Sequence, residues 1–163
     1  MASRYKGPLR AFRIGRAKFA LFDGAGAALS GARWNSKGER VIYAADSYAG
    51  ALLEVLVHAN LGRVPRGFVC IEIHVPREVE IEEITAKDLP KWDAADYAPS
   101  QAFGSQWYRE RRTAVLVVPS VPGNGKARNV LINQEHPDFK KIKASSPAPV
   151  NWDPRLFRGR KGK

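Results

Sequence analysis

The sequence predicts a single α+β domain, with a mixed β core and flanking helices. Three observations support this fold class. The chain has 163 residues, a length that suits one hydrophobic core. Residues 68–75 alternate apolar residues with others, as a half-buried strand does. Residues 46–61 instead form one long apolar stretch with helical spacing.

The first half of the chain contains a glycine-rich segment and a strand pattern. Residues 23–31 are rich in glycine, but they lack the Walker lysine and the spacing of a dinucleotide fingerprint. We expect a flexible turn there. Residues 38–45 are rich in β-branched and aromatic residues, which predicts a strand. Val41 and Tyr43 then share one face of it.

The next element is a predicted helix that Asp46 or Ser47 can cap. It runs to Leu61, and Gly62 provides the stop. Its apolar residues cover about 200° of the helix surface, which is wider than the stripe of an ordinary surface helix. We therefore expect this helix to be well buried.

The opposite side of this helix carries Glu54 and His58, one turn apart. Gly50 and Ala51 lie beside them and leave space over the carboxylate. Spacing alone leaves two interpretations open. The pair is either a surface pair in which His58 partners Glu54, or a functional carboxylate with room above it.

The second half of the chain predicts further strands and one short helix. Residues 79–84 form a weaker strand candidate with acidic outward positions. Ser105 can cap a helix through Arg112. Residues 113–118 form an apolar strand that Pro119 stops, so Ser120 lies at the exit, and residues 129–133 form another short strand. We assign residues 1–157 to the domain and 158–163 to a basic, disordered tail.

Cysteine and histidine usage restricts the class of protein. Cys70 is the only cysteine, so we expect a reducing compartment such as the cytoplasm and interpret Cys70 as a small buried apolar residue. No apolar run approaches the roughly 20 residues that a membrane helix needs, and the basic start lacks a secretory apolar region. The three histidines are scattered, so no metal site is expected.

The net charge of +11 is concentrated at the two ends. Residues 1–18 carry six basic residues and no acidic one, and residues 139–163 are also strongly basic. Charge so distributed favours docking to an acidic protein partner. A non-enzymatic nucleic-acid-binding module remains the alternative of another class, although direct nucleic-acid binding is disfavoured because no known binding motif supports it.

Several short motifs occur together in a fixed order. They are Gly-Ala-Arg-Trp-Asn at residues 31–35, Val-Ile-Tyr at 41–43, Ala-Leu-Leu-Glu-Val-Leu-Val-His at 51–58, Val-Pro-Ser at 118–120, and the segments 129–139 and 153–156. Together they resemble the signature of the RES-domain toxins, whose name records an Arg, a Glu and a Ser. The resemblance covers about residues 10–157. It implies an ADP-ribosyltransferase-like fold, consumption of NAD+ without a metal, and a cognate antitoxin that blocks the pocket.

The resemblance also implies roles for individual side chains. Breaking the nicotinamide–ribose bond leaves an oxocarbenium-like ribose, which the carboxylate of Glu54 would stabilise. The planar fork of Arg33 matches pyrophosphate oxygens better than a lysine would. Tyr43 can stack on the nicotinamide or ribose side of the substrate, although core packing is an alternative.

Four further residues are candidates for positioning the substrate. Ser120 would orient the amide or a ribose hydroxyl. His58 would orient Glu54 or touch the ligand, and Asn35 and Asn133 would form hydrogen bonds at the pocket edge. The predicted activity is transfer of ADP-ribose to a protein acceptor. The alternative is an NAD+ glycohydrolase or phosphorylase, because any nucleophile admitted to the pocket can capture the same ribose cation.

Overall fold

The structure is a computed structural model and describes residues 1–59 and 63–157. The described residues form a nine-stranded sheet and three α-helices. In chain order the elements are β1 (Ser3–Lys6), β2 (Leu9–Arg16), α1 (Ala25–Ser30), β3 (Val41–Ala45), α2 (Tyr48–His58), β4 (Phe68–Val75), β5 (Glu80–Glu83), α3 (Ala98–Glu110), β6 (Val115–Pro119), β7 (Arg128–Asn133), a 3₁₀ helix (Pro137–Lys141), β8 (Lys143–Ala144), β9 (Ala148–Pro149) and a second 3₁₀ helix (Pro154–Phe157).

The strands lie in the order β1-β5-β6-β7-β3-β2-β4-β8, and β9 also pairs with β4. The pair β5–β6 is parallel and the other described pairs are antiparallel. The prediction of one α+β domain with a mixed sheet is therefore confirmed. Within the described ranges, no helix combines the length and apolarity that a membrane span requires.

Alternation along the central strands divides the core into two clusters. Ile42 belongs to one cluster, together with residues of β2, β4 and β5. Val41 belongs to the other, which also contains Trp34 and Trp107, and Tyr43 packs against it. The prediction that Val41 and Tyr43 share a face is confirmed.

Strand β4 has the bounds that its alternation predicts, and the side chains of Ile71, Ile73 and Val75 are buried as expected. Strands β6 and β7 lie within two residues of their predicted limits. Regular apolar patterns therefore located the inner strands well. Cys70 is only half-buried, because it faces away from that apolar row of β4.

Helix α2 begins where its cap predicts, since the Ser47 hydroxyl oxygen accepts a hydrogen bond from the Gly50 amide at 3.0 Å. It ends at His58, because Ala59 is extended. The predicted continuation to Leu61 and Gly62, like the predicted tail 158–163, lies outside the described residues. The expectation of a well-buried helix is wrong. Only Ala51 is fully buried, because much of the helix borders an open cleft.

The third helix corrects the predicted role of Ser105. The helix begins at Ala98 with Pro99 in its first turn, where a missing N–H costs nothing. Ser105 lies inside the helix and is 1% exposed. Its hydroxyl donates to the Glu39 carboxylate at 2.7 Å, so it ties α3 to the segment before β3.

Two other expectations are wrong. Residues 25–30 form α1 and not a flexible turn, because alanines favour a helix and the Asp23 carboxylate accepts from the Ala25 amide at 2.9 Å. Glu82 in β5 does not point to solvent. It is 3% exposed, and Arg112 donates to both of its oxygens, at 2.9 and 3.2 Å.

Candidate active site

The sheet opens between β2 and β3. These strands share one aligned pair, Phe12 with Ala45, whereas β2 pairs with β4 along its whole length. A cleft of about 1770 Å³ is lined by β2 on one side and β3 on the other, with α2 beside them. Sites for small ligands usually occupy about 300–1,000 Å³. The cleft is therefore large enough for a ligand of dinucleotide size.

Arg13 crosses the opening between the two strands. Its Nη1 donates to the Tyr43 carbonyl at 3.1 Å, and burial lowers the pKa of its guanidinium. The side chain also lines the cleft. Sequence reasoning had counted Arg13 only among the basic residues near the start. The available signal was its position between Phe12 and Ile14, which marks it as part of an apolar strand.

Arg33 lies on the segment between α1 and β3 and lines the same cleft. Its Nη1 donates to the carbonyls of Ala94, at 2.9 Å, and Trp92, at 3.3 Å. The guanidinium lies 4.3 Å from the centre of the Tyr97 ring. These contacts fix the plane of the Arg33 guanidinium. A guanidinium has five N–H donors in total, of which two belong to Nη1. Donors beyond those on Nη1 can therefore serve a ligand.

Helix α3 supports this segment from behind. At Gly104 a Cβ atom would lie 1.9 Å from the Trp34 carbonyl oxygen, so the helix packs directly on the backbone next to Arg33. Trp34 is itself 2% exposed. Glycine at position 104 thus permits the close approach that holds Arg33 in place.

The Tyr43 hydroxyl is used within the protein. It donates to Oδ1 of Asn35 at 2.7 Å and accepts from the Trp34 amide at 3.1 Å. Burial raises the pKa of Tyr43, so the hydroxyl stays protonated. Tyr43 is also among the residues that line the cleft, as a role in substrate binding requires.

The two predicted pocket-edge asparagines lie behind the cleft wall. Asn35 is 0% exposed, and its Nδ2 donates to the carbonyls of Ala27 and Glu39 at 3.0 and 3.2 Å. Asn133 is also 0% exposed, and its Nδ2 donates to the Tyr108 carbonyl at 3.1 Å. Neither lines the cleft. Both side chains therefore hydrogen-bond to the backbone behind the cleft wall.

Glu54 lines the cleft from α2, and two side chains hold its Oε1. Nδ2 of Asn129 donates to it at 2.8 Å, and the Ser120 hydroxyl donates at 3.3 Å. Ser120 follows β6 and Asn129 lies at the start of β7, so adjacent strands deliver both donors. Ser120 is 4% exposed and is not among the residues that line the cleft, and its hydroxyl contacts the Glu54 carboxylate.

His58 and Asn129 are two further residues of the cleft lining. His58 is exposed at the end of α2 and lines the cleft one turn after Glu54, as its spacing predicts. Asn129 also lines the cleft, whereas the sequence places it in a predicted strand and in a family motif without a role in the site. Its position at the start of a family motif was the signal that could have identified it.

The charge of the cleft is strongly unbalanced. Among its described lining residues Glu54 is the only carboxylate, whereas five are arginines. The arginines are Arg13, Arg16, Arg33, Arg63 and Arg66. This arrangement suits a ligand that carries several negative charges and a reaction in which positive charge develops beside one carboxylate.

A family model for the RES domain matches residues 10–153. The chain belongs to the RES domain family. Two RES relatives are "Prs ADP-ribosylating toxin" of Sphingobium sp. (strain YBL2), 46% identical over 140 residues, and "Toxin Res" of Photorhabdus laumondii, 33% identical over 159 residues. The matches cover 83% and 92% of this chain, and 86% and 98% of those proteins.

The RES fold is also found in a solved structure. The Mycobacterium tuberculosis MbcT–MbcA toxin–antitoxin complex contains a chain that matches with a TM-score of 0.72 and 17% identity. The match covers 94% of this chain and 89% of that one. The family model and the relatives confirm the family resemblance read from the Arg33, Glu54 and Ser120 motifs. The solved structure shows that the similarity of fold extends over almost the whole chain.

Proposed function

We propose that this chain is a toxin that cleaves the nicotinamide–ribose bond of NAD+ and transfers ADP-ribose to a protein acceptor. The observation that carries the proposal is the carboxylate of Glu54, which Ser120 and Asn129 hold in a cleft whose other charged lining residues, in the described part of the chain, are mainly arginines. The name of the Sphingobium relative, an ADP-ribosylating toxin, supports the same activity.

The proposed substrate fits the two sides of the cleft. Arg33, with its fork already held by two carbonyls, binds the pyrophosphate, and Arg13 adds a second cation from β2. The ring of Tyr43 packs against the nicotinamide or ribose. Binding of the phosphates would place the ribose near Glu54, whose carboxylate lines the same cleft.

The reaction then needs little covalent chemistry from the protein. The C–N bond between nicotinamide and ribose breaks, and nicotinamide leaves as a neutral molecule with the bonding electron pair. Positive charge develops on the ribose, and the Glu54 carboxylate stabilises it. A nucleophile of the acceptor attacks the ribose carbon and loses its proton to solvent.

Product analysis tests this proposal. We expect incubation with NAD+ labelled in its adenylate part, in the presence of cell lysate, to label a discrete protein band and release nicotinamide. The matched Glu54→Gln protein should label no band. Absence of both nicotinamide release and label would contradict the NAD+ proposal itself.

The same products separate the second candidate, hydrolysis or phosphorolysis of NAD+. The open cleft and its surplus of arginines favour this candidate, because they would admit water or phosphate. Free ADP-ribose without labelled protein would indicate hydrolysis. A phosphorylated ADP-ribose that forms only when phosphate is added would indicate phosphorolysis, and either result would replace transfer as the activity.

We also propose a cognate antitoxin that is acidic and blocks the cleft. The five lining arginines and the basic ends support an acidic partner, and the solved structural neighbour is a toxin–antitoxin complex. Expression of the chain alone should arrest growth, and the Glu54→Gln chain should be tolerated. If the wild-type chain is tolerated equally well at the same expression level, no antitoxin is needed and this proposal is wrong.

A further inference from the structure

The start of β7 holds Asn129 in a fixed position. Its backbone pairs with Ala45 of β3 and with Val118 of β6. The preceding Arg128 donates to the carboxylates of Asp46 and Glu83, at 2.9 Å each. These contacts join the start of β7 to the residue that follows β3 and to the last residue of β5. A side chain on such a backbone has little freedom to move, which is what precise placement of a partner requires.

We propose that Asn129 is the positioning residue that fixes the carboxylate of Glu54, an inference that rests on the proposed function. Its Nδ2 lies 2.8 Å from Oε1 of Glu54, closer than the Ser120 hydroxyl at 3.3 Å. Oε1 of Glu54 accepts both of these hydrogen bonds. The second carboxylate oxygen, Oε2, is thereby left for the ribose.

The amide group is chemically suited to this task. An asparagine Nδ2 does not ionise, so it donates hydrogen bonds at every ordinary pH. An aspartate of the same shape would donate only when protonated. Two carboxyl groups in contact share one proton in acid and repel each other once both are ionised. Position 129 therefore offers a test that depends on pH.

The first experiment measures the pH profile of NAD+ turnover for Asn129→Asp. In acid, the shared proton restores the donor, and we expect activity close to that of the wild type. As the pH rises to about 8 the pair loses this proton, and kcat should fall about tenfold to hundredfold, while the wild-type profile lacks this descending limb. A profile parallel to that of the wild type would overturn the proposal.

A second pair of variants separates positioning from binding. Asn129→Ala should lower kcat about tenfold to hundredfold, with KM for NAD+ unchanged within about twofold, because the substrate contacts remain. Asn124→Asp is the matched control, since Asn124 is an exposed asparagine of the loop before β7 and lies outside the cleft lining. Its pH profile should follow that of the wild type. An unchanged kcat in Asn129→Ala would overturn the proposal.

A stability measurement tests the contact without any turnover. The Tm of Asn129→Asp should drop, relative to the wild type, as pH rises from about 5 to about 8. Adding Glu54→Gln should remove this dependence, because the carboxylate at 129 then faces an amide. If the dependence persists, Asn129 does not act on Glu54. If the contact is confirmed but the wild-type chain consumes no NAD+, the proposed function fails and the contact has only a structural role, so the positioning proposal falls with it.

Discussion

Glu54→Gln is expected to lower the rate constant of NAD+ cleavage about 10³-fold, while the affinity for NAD+ changes little. Glutamine keeps the size of the side chain and its place on α2, but it removes the negative charge beside the developing ribose cation. The interaction lost is strong only in the transition state, so kcat and kcat/KM should fall together.

Two measurements decide this prediction. Single-turnover release of nicotinamide gives the chemical rate, and calorimetric binding of ADP-ribose reports the affinity. Glu110→Gln is a matched control, because Glu110 is a partly exposed helix glutamate that does not line the cleft. It should leave the rate unchanged. A Glu54→Gln protein that cleaves NAD+ at the wild-type rate would show that another group stabilises the reaction.

Arg33→Lys is expected to weaken NAD+ binding about tenfold to hundredfold, or about 1.4–2.7 kcal/mol. Lysine keeps the charge but replaces the planar fork with a single ammonium, which cannot donate two parallel hydrogen bonds to the pyrophosphate. It also loses the stacking on Tyr97 and the fork held by the carbonyls of Ala94 and Trp92.

The affinity change is best measured in a Glu54→Gln background, so that the substrate is not consumed during the titration. Arg77→Lys makes the same substitution at an exposed turn residue outside the cleft and should bind like its parent. Equal affinities for the Arg33→Lys and parent chains would remove Arg33 from the phosphate site and leave Arg13 as the stronger candidate.

The sequence correctly predicted the elements whose position depends only on neighbouring residues in the chain. Alternation placed β4, and a serine cap placed the start of α2. Motif resemblance identified Arg33, Glu54 and Ser120 as belonging together. The structure supplies a direct contact between Ser120 and Glu54, although 66 positions separate them in the chain.

The wrong predictions concern residues whose burial depends on a partner that is distant in the sequence. Glu82 is buried because Arg112 pairs with it, and Ser105 is buried because Glu39 accepts a hydrogen bond from its hydroxyl. Strand β2 was not predicted, since its basic residues obscure its alternation, and Arg13 was missed with it. The amide–carboxylate pair of Asn129 and Glu54 likewise forms only when β7 and α2 meet.

The single aligned pair that joins β2 to β3 links occupancy of the cleft to the stability of the fold. A ligand that binds only the folded chain stabilises it by about 2.7 kcal/mol when present at 100 times its Kd. Any molecule that contacts both strands adds links between them where the backbone pairing is sparse, in addition to the hydrogen bond from Arg13 to Tyr43. Removal of that ligand would therefore remove its contribution to the free energy of unfolding.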